Sequence, residues 1–117
     1  MSRDVAPIFA DIDSLNPDQF VAHLTPDVTF RFGNADPMTG REAVKAAVTG
    51  FYGTIAGMHH HILDIYESGD TVIAKIDVEY IRQDGKSVTV PNADILVFDG
   101  DLVSNWQIYI DLAPVFA

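Results

Sequence analysis

The run TVIAKIDVEYIR (residues 71–82), the turn Gln83-Asp84-Gly85-Lys86, SVTVPNADILVF (87–98), the turn Asp99-Gly100 and DLVSNWQIYID (101–111) read as one continuous antiparallel meander. Asp-Gly between runs rich in Val, Ile, Tyr and Phe marks a hairpin, because glycine accepts the positive φ that a tight turn needs. The signal occurs here twice. Three long consecutive strands make a sheet that must bury a face against another layer, and the first half of the chain is the candidate for that layer.

Working outward, Met58 to Glu67 alternates as a further strand, closed by Ser68-Gly69-Asp70. Before it, Ala43, Val44, Ala47, Val48, Phe51, Tyr52 and Ile55 lie on one broad helical stripe that starts at Arg41, and Gly50, Gly53 and Gly57 loosen its end. Val28, Phe30 and Phe32 alternate with Thr29 and Arg31 as a short strand, followed by a polar loop over 33–40. Val5, Ile8, Phe9, Ile12 and Leu15 recur at helical steps. A second short helix starts with Asn16 as cap, Pro17 at the first helical position and Gln19 in place of a capping-box residue; Phe20, Val21 and Leu24 are its buried side, and Pro26 ends it. The order α-α-β-α-β-β-β-β implies an α+β fold, helices on one face of a curved sheet, forming a single domain over 1–117.

At 117 residues the chain is long enough to bury a sizeable core without staples, and it has no cysteine to supply disulfides or thiolate ligands. Seventeen acidic against seven basic residues, net −10, exclude the basic footprint that nucleic acid or anionic lipid demands. The opening MSRDVAPIFADIDSL has no basic segment leading into a long apolar run, so a soluble cytoplasmic protein is expected. No cofactor is expected.

Three segments bear a family resemblance: Thr39-Gly40-Arg41-Glu42-Ala43-Val44 opening the third helix, Tyr80-Ile81-Arg82-Gln83-Asp84-Gly85 at the hairpin, and Trp106-Gln107-Ile108-Tyr109-Ile110-Asp111 near the end. With the element order, they make the chain resemble the nuclear transport factor 2-like superfamily, the cone-shaped fold of ketosteroid isomerases, limonene epoxide hydrolases and SnoaL-like polyketide cyclases. The resemblance implies three helices closing a deep apolar pocket against the concave side of the sheet, and a homodimer through the convex side. It does not name a reaction, since one fold hosts many activities.

On the strand from Thr71, simple alternation turns Val72, Ala74, Ile76, Val78 and Tyr80 inward and sends Lys75, Asp77 and Glu79 to water. The resemblance implies the opposite parity, with Lys75 and Asp77 matching the arginine and aspartate of the epoxide hydrolase triad and facing the pocket. It also sets Asp94 where ketosteroid isomerases keep a protonated aspartate, with Val90, Asn92, Leu96 and Phe98 on the same face. Removal from water would raise the pKa of such a carboxyl group; the competing reading is an aspartate satisfied by backbone amides at a bulge beside Pro91. Trp106, Ile108 and Ile110 are expected on the cavity side of the last strand, Gln107, Tyr109 and Asp111 toward a partner subunit, and Phe30, Phe32, Phe51 and Ile55 on the apolar wall opposite.

The run Met58-His59-His60-His61 does not make a metal centre, because adjacent strand residues point to opposite faces. His60 with Ile62 points into the cavity as a proton shuttle, or is a structural histidine bonded to a backbone carbonyl.

Against the resembling families, Phe32 stands where ketosteroid isomerases have their base, and Ile8 where they have the oxyanion-hole tyrosine. Ile108, Phe30 and Phe32 likewise replace the second aspartate, tyrosine and asparagine of the epoxide hydrolases. What survives is a cluster of Lys75, Asp77, Asn92 and Asp94 with His60 beside it. The expectation is proton-transfer chemistry on a small apolar carbonyl, enol or epoxide compound, with Asp77 as base, held ionised by Lys75, and Asp94 as donor. The competing expectation is a dimeric binding protein that sequesters a small apolar molecule without chemistry.

Overall fold

The computed structural model describes residues 3–117. Helices α1 (Ala6–Asp13) and α2 (Pro17–Val21) lead into strand β1 (Leu24–Phe32) and the two-residue β2 (Met38–Thr39). Helix α3 (Arg41–Tyr52) precedes β3 (Gly57–Ser68), β4 (Thr71–Ile81), β5 (Ser87–Asp99) and β6 (Leu102–Ile110), and a 3-10 turn spans Ala113–Val115. One mixed, open sheet runs β2-β1-β6-β5-β4-β3, with β1 parallel to β6 and the remaining pairs antiparallel. The three helices pack on its concave side, as the α+β reading expects. No helix is long and apolar enough to cross a membrane among the described residues.

Local chemistry explains most boundaries. Asn16 Oδ1 accepts from the Asp18 amide at 3.0 Å, and Pro17 occupies the first turn of α2, where its missing N–H costs nothing. Pro26 does not end α2 as expected: β1 already begins at Leu24 and contains it. The β1–β6 register shifts between Leu24 and Thr29, so the proline falls in an irregular stretch of the ladder. Pro91 is similarly placed, because β6 pairing ends at Asn92 opposite Ile110 and leaves β5 with one neighbour at the proline.

The β4–β5 hairpin departs from the expected tight turn. Arg82 N donates to Lys86 O at 2.8 Å and Gly85 N to Arg82 O at 2.9 Å, so three residues, Gln83 to Gly85, form the loop, with Gly85 at φ +86°. Ala74 therefore stands opposite Asp94, Ile76 opposite Asn92 and Tyr80 opposite Val88. Paired residues share a face, so an inward Asp94 carries the even residues of β4 inward with it. Val72, Ala74, Ile76, Val78 and Tyr80 are all buried, at 1 % exposure or less. Lys75 and Asp77 lie on the outer face, exposed and half-buried. The parity implied by the resemblance is thus corrected, and simple alternation holds. A two-residue loop would have set Lys75 opposite Asp94; the third loop residue slips the register by one and turns β4 over.

This parity predicts opposite stability effects at neighbouring residues. Ile76→Ala should cost about 2–5 kcal/mol in urea unfolding, whereas Asp77→Ala should change stability by no more than about 0.5 kcal/mol.

Candidate functional site

Between the helices and the concave sheet lies a cavity of about 220 Å³. That exceeds the roughly 150 Å³ apolar cavity known to hold benzene, leaving room for one ring and a substituent. Its walls are apolar: Phe30 and Phe32 from β1, Phe51 from α3, Met58 from β3 and Ile108 from β6. The polar groups in the lining are His60, Tyr80, Asn92, Asp94 and Tyr52, and no lysine or arginine is among the lining residues.

Asp94 is the group around which the site is built. It is 1 % exposed, on a central strand. Asn92 Nδ2 donates to its Oδ1 at 2.6 Å and Trp106 Nε1 to its Oδ2 at 3.2 Å. Burial pushes the carboxyl pKa from 3.8 up to about 6, against the opposing pull of the Asn92 amide, the charge of His60 and the Trp106 indole N–H. Side chains, not the backbone amides of a bulge, satisfy it. Trp106 is itself fixed, stacked on Phe20 at 5.3 Å and met edge-on by Phe9 and Phe30. Its indole therefore serves Asp94 from beneath the cavity rather than lining it.

A second polar unit comes from α1 and β3. His60 Nδ1 lies 2.6 Å from Asp13 Oδ1, and the His60 amide donates to Asp13 Oδ2 at 2.9 Å. The Phe9 ring packs against the imidazole at 5.1 Å. With Nδ1–H given to the carboxylate, Nε2 is left without a protein partner among the described residues, on a side chain that lines the cavity. The histidine bonds a carboxylate, where a backbone carbonyl was the structural alternative. His59 and His61 lie on the outer face, and His61 Nε2 sits 3.1 Å from Glu79 Oε1, so the three histidines do not converge.

Two tyrosines complete the polar lining. The Tyr52 hydroxyl donates to Ile12 O at 2.8 Å. Tyr80 is 1 % exposed, packs its ring edge-on to Phe51, and its hydroxyl makes no hydrogen bond among the described residues. Burial, then the charges of Asp94 and Asp13, push its pKa upward, so the phenol stays neutral and a donor.

Of the residues expected in the site, Asp94, Asn92, His60, Phe30, Phe32, Phe51 and Ile108 do line one cavity. Ile55 is buried in the core outside that lining, and Ile110 is half-buried away from it. Lys75 and Asp77 are absent from it, because the register turns them outward. Sequence reasoning missed Asp13, Tyr52 and Tyr80. Asp13 follows Phe9 by four residues, one helical turn along the buried stripe, and Tyr80 belongs to the apolar alternation of β4, so both signals were in the chain.

Residues 5–106 match the family described as SnoaL-like domain. No curated protein matches the chain. Among solved structures, it is similar to a hypothetical protein with a ketosteroid isomerase-like fold from Catenulispora acidiphila DSM 44928, in complex with trimethylamine. The two share 23% identity over 93% of this chain and 85% of that one, TM-score 0.84. TerC co-crystallised with polyporic acid follows at 14% identity, 96% and 92% coverage and TM-score 0.81. An LEH-like epoxide hydrolase from M. tuberculosis shows 17% identity, 96% and 83% coverage and TM-score 0.79. At these identities the likeness shows the fold.

The raised pKa of Asp94 has a stability signature. The folded protein holds this proton more tightly than the unfolded chain, so its contribution is fully present below about pH 4 and is lost as pH rises through about 6. Wild-type stability relative to Asp94→Asn should therefore fall by roughly 2 kcal/mol between pH 4 and pH 7, read from urea unfolding across that range.

Proposed function

The chain belongs to the SnoaL-like domain family, and from that premise we propose that it is an acid–base enzyme acting on a small apolar carbonyl or epoxide compound within the cavity. The single observation that supports this most strongly is Asp94: a fully buried carboxyl group, in an apolar cavity, with both oxygens held by N–H donors and a pKa near 6. Two N–H groups aimed at its oxygens favour the carboxylate, so Asp94 takes the role of base in place of Asp77. A base with that pKa is ionised at neutral pH yet strong enough to accept a proton from carbon beside a carbonyl.

In this reading the Asp94 carboxylate removes the proton, and the C–H electron pair becomes the enolate π system. The Asp94 carboxylic acid so formed then returns the proton at another atom of the substrate, which restores the carboxylate, while the His60 ring, oriented by Asp13, holds the substrate in place. Moving a proton between two positions is the elementary step of isomerases and cyclases. The apolar walls exclude water and strengthen each of these interactions.

A container for a small apolar ligand is the second reading. It is favoured by the self-sufficient Asn92–Asp94–Trp106 set. One experiment separates the two. Incubation of cyclohexanone and similar small ketones with the protein in D2O should exchange their α-protons faster than buffer. Asp94→Asn should slow that exchange by about a hundredfold or more. The wild-type rate should drop as pH falls through about 6, because protonation removes the base. Saturable ketone binding with exchange no faster than buffer would leave the container.

A homodimer through the convex face belongs to the same proposal. Tyr66, Ile73 and Tyr109 are large apolar side chains exposed on the outer side of β3, β4 and β6. Tyr66 stands directly opposite Ile73, which makes a contiguous patch. Light scattering should give twice the chain mass for the wild type and the single mass for a Tyr66→Glu/Tyr109→Glu double variant. A wild-type monomer at micromolar concentration would remove this part of the proposal.

A further inference from the structure

The cavity walls hold buried polar groups that are already matched and one donor that is not. Asn92 and Trp106 give their N–H groups to Asp94, the Tyr52 hydroxyl is committed to Ile12 O, and His60 Nδ1 is committed to Asp13. The Tyr80 hydroxyl alone among the lining tyrosines lacks a partner among the described residues, although its side chain is 1 % exposed and lines the cavity. A phenol O–H that finds no acceptor in the protein, on a side chain lining the cavity, is available to a ligand that supplies one.

We propose that Tyr80 is the anchor of the cavity and that the ligand it selects is a neutral molecule bearing a carbonyl oxygen. The phenol donates and the ligand oxygen accepts. The charge of the surroundings restricts the class further. Asp94 lies in the lining and Asp13 just behind His60, while no lysine or arginine reaches the cavity, so a carboxylate or phosphate ligand would meet repulsion with no compensating cation. The volume of about 220 Å³ restricts it again, to one ring with a short substituent or an aliphatic chain of similar bulk. Phe51, edge-on to the Tyr80 ring at 6.0 Å, with Phe32 at 5.3 Å from Phe51, supplies an aromatic wall beside the anchor.

This inference rests on the reading of the cavity as a small-molecule site, and it does not require turnover. It identifies a residue on β4 as the oxygen-binding group, at a position distinct from Ile8, where the resembling isomerases have their tyrosine. A carbonyl held at Tyr80 would bring its neighbouring carbon into the same enclosure as Asp94, whose charge already bears on the phenol.

The probe is acetophenone labelled with ¹³C at the carbonyl, read by isotope-edited infrared difference spectroscopy on the full chain. Bound to the wild type, its carbonyl band should move to lower wavenumber than in an apolar solvent, as expected for one strong hydrogen bond. Tyr80→Phe, which keeps the ring and therefore the packing, should abolish the shift and weaken binding by about tenfold. Tyr52→Phe should keep the shift. Benzoate should bind at least a hundredfold more weakly than acetophenone at pH 8. An unshifted band, a shift that survives in Tyr80→Phe, benzoate binding as tight as acetophenone, or no saturable binding of acetophenone would each overturn the assignment. A Tyr80-dependent shift without any α-proton exchange would uphold the anchor and count against the acid–base reading, so the two fail separately.

Discussion

A single extra residue in the β4–β5 hairpin decides what the cavity contains. Gln83, Asp84 and Gly85 together, rather than Asp84 and Gly85 alone, separate Arg82 from Lys86, and every pairing down the hairpin follows from that count. Because side chains alternate along a strand, the register brings Tyr80 and the aliphatic even residues of β4 onto the same face as Asn92 and Asp94. The charged row Lys75, Asp77 and Glu79 goes to the outside. The reverse parity would have placed those charges among the aromatic rings of α1 and α3 at a cost of several kcal/mol each, so the hydrophobic pattern and the turn enforce the same answer.

The consequence is an enclosure with few ionisable groups, of which Asp94, His60 and Tyr52 are each held by a specific neighbour. Asp94 is deprived of water by burial beneath the helices, and its charge is sustained by Asn92, by His60 and by the Trp106 indole N–H. Asp13 reaches back from the end of α1 to clamp both the ring and the backbone of His60. These two units come from different parts of the sheet, β5 near its middle and β3 at its edge, and the concave curvature turns both toward one space. Desolvation dominates over hydrogen bonding at Asp94, which is why its pKa rises despite two donors.

Much of this was legible in the chain. The meander, the three helices and the Asn16 cap follow from alternation, helical spacing and turn residues. Asp94, Asn92, His60 and four apolar wall residues were found through the resemblance and through strand parity. Two kinds of information were not. Loop length within an Asp-Gly hairpin is ambiguous by one residue, so the turn could not correct the inward parity that the resemblance implied for Lys75 and Asp77. Contacts across the fold, such as Asp13 with His60, forty-seven residues apart, leave no local signature. A parity that buries a lysine and two acids conflicts with the apolar alternation of the same strand.

The account stands on Asp94 being a desolvated carboxyl group that titrates near neutrality inside the cavity. A ¹³C carboxyl NMR titration of the ligand-free protein, followed together with the Trp106 indole N–H resonance, measures this directly. The expected result is a midpoint near pH 6 at Asp94, with the indole proton shifting over the same range because it donates to that carboxyl group. A midpoint near the ordinary value of 3.8, with an indole resonance indifferent to it, would contradict the account.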